Sequence, residues 1–256
     1  MQDANFSDTA RPNGGAMRTV AVFGAAAAIL SIAAGASAQT RQSPLRTACT
    51  DDKTSPEMRI SACTVIILSG NETPGNLAVS YYNRGLGYGA EGDYDRAIAD
   101  YTKAIELAPK FAKAYNNRGT VYGMKGDHAR AIADFTRAIG LDPKNANAYN
   151  NRCLGLAISG RAQSALTDCD TALRLRPDYA DAFENRAFAY YQLARYDEAL
   201  AGYETALKLD PKEASSLYGR GMTKLKKGDP TGDADIAAAK AIKPGIADEM
   251  ARNGMK

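Results

Sequence analysis

Across 256 residues the chain carries 32 Lys and Arg against 29 Asp and Glu, and a formal charge of +3 is too small to single out nucleic acid or an anionic membrane as its partner. With 45% hydrophobic and 24% charged residues it can bury a core, which excludes disorder throughout. A single histidine and four cysteines leave any His-dependent triad or multi-His metal site to be built around His128 alone, so the composition argues against an enzyme and no cofactor or metal is expected.

Residues 1–38 read as an export segment. Met17-Arg18 offers a basic start, Val20 to Ala34 an apolar run, and Ala36-Ser37-Ala38 small residues where a signal peptidase reads, which predicts cleavage after Ala38. Asp3 and Asp8 are foreign to such a segment, so the residues before Met17 read as an upstream start. The alternative is an uncleaved anchor. On the cleavage reading the mature chain begins near Gln39, inserts stably in no membrane, and works in the periplasm or outside the cell, where disulfides persist.

The rest of the chain repeats. Tyr81-Tyr82-Asn83-Arg84-Gly85 recurs as Tyr115-Asn116-Asn117-Arg118-Gly119, Tyr149-Asn150-Asn151-Arg152-Cys153 and Phe183-Glu184-Asn185-Arg186-Ala187, offset by 34 each time. Pro109, Pro143, Pro177 and Pro211 keep the same step, as do Ala97, Ala131, Ala165 and Ala199. Within a unit, apolar and small residues recur at helical spacing from Ala78 to about Glu91, Gly92-Asp93 interrupts them, and the pattern resumes from Tyr94 until Pro109 stops it. Each unit is therefore a helix pair. Gly85, Gly119, Cys153 and Ala187 let the two axes approach, and Tyr101, Phe135 and Tyr203 fill the gaps between pairs.

These residues resemble the tetratricopeptide repeat. The resemblance implies an all-α, right-handed solenoid of helix-turn-helix units. Four repeats span 78–111, 112–145, 146–179 and 180–213; a degenerate fifth and a capping helix fill 214–256, and 39–77 holds an N-terminal segment with a half repeat. In that frame Cys153 and Cys169 lie at equivalent levels of two antiparallel helices, and Cys49 could bridge Cys63; the reading open beside two disulfides is four buried thiols.

In the resembling family the first helix of each pair lines a concave groove. Carried over, the groove would present Asn83, Asn117, Asn151 and Asn185, flanked by Tyr82, Asn116 and Asn150, with Lys113 and Phe188 on the same wall. A carboxamide donates and accepts, so a repeated Asn could follow the backbone of an extended peptide; the plainer reading makes it a scaffold residue. The family's clamp for a C-terminal carboxylate is not supported, because two of its basic positions read Tyr82 and Asp181. Arg84, Arg118, Arg152 and Arg186 face Asp100, Asp134 and Asp168, with Gly202 breaking the series, and structural pairing is expected in place of an anion site. The function this predicts is a non-enzymatic protein-interaction scaffold of the cell envelope that holds a peptide or partner helix, with a structural or self-associating subunit as the alternative.

Overall fold

The computed structural model describes residues 43–255, and the expected export segment with its cleavage point lies outside them. Every regular element among the described residues is a helix: α1 (Pro44–Thr50), α2 (Pro56–Ser69), α3 (Pro74–Ala90), α4 (Tyr94–Leu107), α5 (Ala112–Met124), α6 (His128–Leu141), α7 (Ala146–Ile158), α8 (Ala162–Leu175), α9 (Ala180–Gln192), α10 (Tyr196–Leu209), α11 (Ala214–Lys226), α12 (Gly232–Ile242) and α13 (Ile246–Arg252). Through α12 each packs against the next in chain order, as a helical solenoid requires. No helix among the described residues is long and apolar enough to cross a membrane.

Local chemistry sets these boundaries. Ser43, Ser55 and Thr73 accept from the backbone N–H of Arg46, Met58 and Asn76, and each precedes a proline whose fixed φ suits the first helical position. Asp93 and Asp127 cap α4 and α6 in the same way. Between the two helices of a pair the chain turns through Gly92, Gly126, Gly160 and Gly228 at φ from 75° to 80°, while the fourth turn forces Ala194 to 56°. At the far end of each pair the residue before the proline is driven out of the helical region, which stops α4, α6, α8, α10 and α12.

Packing inside a pair follows a knob and a hole. A Cβ added at Gly85 would come within 2.8 Å of the Tyr101 ring, and one at Gly119 within 2.8 Å of Phe135, so each glycine makes room for the aromatic of its partner helix. The third pair carries Cys153 and Cys169 at the same two positions, and the structure joins them across a Cα separation of 5.5 Å. Cys49 and Cys63 are joined likewise, at 4.9 Å, tying α1 to α2.

The fifth pair is one residue short. The loss falls before Gly232, so α12 begins late and its backbone lies against Gly221, where a Cβ would meet the Gly232 carbonyl at 2.7 Å. From Gly232 onward the repeat positions run one residue early, with Asp235 meeting Arg220 and Pro244 closing the pair. α13 then turns back from the end of the stack toward its inner wall.

Candidate functional site

The first helices carry a row of arginines, and the structure gives each an acidic partner. Arg84 grips Asp100 with Nε and Nη2 at 2.7 and 2.9 Å, Arg118 grips Asp134 at 2.8 and 2.8 Å, and Arg152 grips Asp168 at 2.6 and 2.7 Å. The third nitrogen of each donates to a threonine of the preceding helix, Thr64, Thr102 and Thr136. These forks therefore join units and present no free cationic row. Where Gly202 removes the acid, Arg186 turns to Asp170, which occupies the threonine register of the repeat before. Sequence reasoning passed over Asp170, although its register matches Thr102 and Thr136. Arg220 returns to the ordinary pairing through Asp235.

The asparagines run along the inner wall, and most of their N–H groups are committed within it. Asn117 donates to the Tyr82 hydroxyl, Asn116 to Asn117, and Asn151 to Asn116 and Thr120, linking the first three repeats. Asn185 donates to Asn150 and Asn150 to the Tyr179 hydroxyl, linking the third and fourth. Asn83 bonds back to the carbonyl of Val79 in its own helix. Asn83, Asn117 and Asn185 are buried, whereas Asn151 is partly exposed. The carboxamides thus align one repeat on the next, which places their donors away from the open cleft. Tyr82 is packed between Tyr101 and Phe111, Phe188 is buried, and Lys113 is exposed.

What the concave face does expose is a different set of side chains. A cavity of about 720 Å³ opens along α5 to α7, lined there by Thr120, Met124, His128, Asn151, Leu154 and Ile158. Its opposite wall comes from Glu213, just ahead of α11, and from Lys243, Glu249 and Arg252 toward the end of the chain. His128 is half-buried at its rim.

Farther along the wall, α13 packs on α11 and α12 and, across a crevice, faces α7 and α9. Ile246, Met250 and Met255 are buried there in one apolar cluster with Phe188, Tyr191, Leu217 and Tyr218. A narrow crevice of about 110 Å³ is left beneath the helix, bordered by Glu184, Asn185, Tyr203, Ser215, Met250 and Asn253. Burial pushes the Glu184 carboxyl up to about 7, with Glu213 and Asp181 adding repulsion, although Ser216 donates to it at 2.6 Å. The hydroxyl of Tyr203, which borders the same crevice, is buried without a hydrogen-bond partner.

Comparison with known proteins agrees with this architecture. The family model described as Tetratricopeptide repeat matches residues 82–146, and that described as TPR repeat matches 189–228. No curated protein matches the sequence. Among solved structures the chain is similar to YrrB, described as a TPR protein with an unusual peptide-binding site, at 25% identity over 75% of this chain and 96% of that one, with a TM-score of 0.55. It is similar in fold to a tetratricopeptide repeat protein from Parabacteroides merdae (18% identity, 77% and 81% coverage, TM-score 0.63) and to MamA (23%, 67% and 94%, 0.54). The step of 34 residues, the paired helices and the family matches give one conclusion: the chain is a stack of tetratricopeptide repeats, a fold that generally serves as a scaffold for protein interaction.

Proposed function

We propose that the protein is a non-enzymatic scaffold of the cell envelope that holds an extended peptide or a partner helix in its concave groove. The observation that carries this reading is the open stretch over the second and third repeats. Met124, Leu154 and Ile158 there offer apolar contact on a wall whose scaffold hydrogen bonds are already made, and Asn151 and Thr120 stand partly exposed beside them. YrrB, a fold relative with a peptide-binding site, supports the same use of the face. Two cysteine pairs at bonding distance in a chain with an export-like start support a location outside the cytoplasm, with both pairs oxidised.

The test is capture from envelope extract by the mature chain, compared with a Met124→Glu, Ile158→Glu variant that charges the groove and leaves the asparagine network intact. Loss of the captured proteins, with helicity unchanged by circular dichroism, is the expected result; recovery of the same proteins by both chains would refute groove binding.

A second reading rests on α2, which leaves Met58, Val65 and Leu68 exposed at 59%, 51% and 78% on one helical stripe. Self-association through this end would make the protein a subunit of an envelope assembly. Sedimentation of a Leu68→Lys variant separates the readings, because only an end-to-end assembly dissociates.

A further inference from the structure

The final helix occupies a surface that the solenoid otherwise uses as its inner wall. Asn185 and Phe188 hold the same repeat positions as Asn151 and Leu154, and those two line the open cavity. Over the fourth repeat that wall faces Met250 of α13 and Asn253 just after it across a narrow crevice. The groove is therefore continuous, open over two repeats and filled in cis over the next.

The filling is imperfect in three respects. A crevice of about 110 Å³ is left beneath α13. Glu249 of α13 borders the same crevice as Glu184, whose carboxyl is raised by burial and, to a lesser degree, by Glu213 and Asp181. Glu249 finds compensation in Lys243, on its own side of the crevice. Finally, α13 has only seven residues, too short to be helical by itself, so it is ordered by the wall it covers. Its link to α12 is the short turn Lys243-Pro244-Gly245, and its end is held by the Gln192 side chain on the Gly254 carbonyl.

We infer that α13 is an exchangeable occupant of the groove, displaced by a basic amphipathic helix that carries aliphatic or methionine side chains four residues apart, as Ile246 and Met250 are, and a Lys or Arg where α13 has Glu249. Such a helix would keep apolar anchors in the cluster with Phe188 and Tyr218 and would set a cation on the wall that carries Glu184 and Glu213. This inference rests on the groove reading above and adds the chemistry of the partner.

The experiment uses the full chain, wild type and Met250→Asp. A carboxylate among Leu154, Phe188 and Tyr203 expels α13 and leaves the repeats in place. Fluorescein-labelled peptides of residues 244–255, native and with Glu249→Lys, are titrated by anisotropy. The native peptide is expected to bind the Met250→Asp chain at least tenfold tighter than the wild type, and the Glu249→Lys peptide to bind that variant tenfold tighter than the native one. Equal binding to both chains, or none to a folded variant, overturns exchange; no gain from the lysine overturns the basic partner. If the variant does not fold, hydrogen exchange on the wild type decides. Opening of α13 well ahead of α9 and α11 supports the inference, and exchange of all three in one event overturns it. Peptide exchange without capture by the open stretch defeats the groove reading alone, and capture without peptide exchange defeats this inference alone.

Discussion

Asp134 shows how much of this scaffold depends on single polar groups. It is buried, takes both arms of Arg118, and through that arginine reaches Thr102 of the preceding repeat. Asp134→Ala strands a half-buried guanidinium, and we expect a loss of about 3 kcal/mol in urea unfolding. Glu184 carries the opposite kind of prediction. Its carboxyl rises from an ordinary 4.5 to about 7 through burial, faced by Ser215 and Ser216 of α11 and Glu213 just before it, Tyr203 of α10, Glu249 of α13 and Asp181 of its own helix. A raised acid favours the folded state while protonated, so its contribution is fully present below pH 4.5 and is lost as pH rises through 7. Melting temperatures followed across that window should fall more for the wild type than for Glu184→Gln; parallel curves would remove Glu184 as the cause. The arginine pairing could be anticipated from a spacing of 16 residues between opposite charges. The asparagine hydrogen bonds could not, because a periodic Asn has the same pattern whether it faces a ligand or the next repeat.

Among the elements, α4 and α6 have an aspartate cap where α8 begins at Arg161 with no side-chain acceptor. Arg161 is exposed, so Arg161→Asp should restore the missing bond and add about 1 kcal/mol, read from the shift in urea midpoint at constant slope. Helix limits were legible because glycine and proline mark them by backbone geometry, and the α4, α6 and α8 second helices run between those marks. The start of α3 was less so: it begins at Pro74, ahead of the repeat pattern, because Thr73 supplies a cap there. Where its neighbours seat a ring in a hole, the third pair sets Cys153 and Cys169 with their Cα atoms 5.5 Å apart, the separation of a disulfide. Reduction should therefore cost about 3 kcal/mol per bridge, by the entropy of the loop released. Urea curves with and without a thiol reductant measure it, and coincident curves would show that the bridges do not form.

At the scale of the molecule, a stack of like units defines a continuous inner wall, and function depends on how much of it is free. The 34-residue step by itself determined the helix pairs and their order, because a pattern of small and apolar residues repeated at fixed distance must bury itself against its neighbours, and the resemblance to the repeat family supplied the expectation of which face curves inward. Only the tertiary structure decided which groups on that face are available. It joined the asparagines to one another, gave Arg186 its acid from another repeat, and brought α13 from the fifth pair to face the fourth repeat. Those outcomes depend on contacts between residues distant in the chain, whose register follows from the curvature of the whole stack; a repeat pattern specifies each unit and its neighbour, and it contains no term for a tail folding back onto the wall.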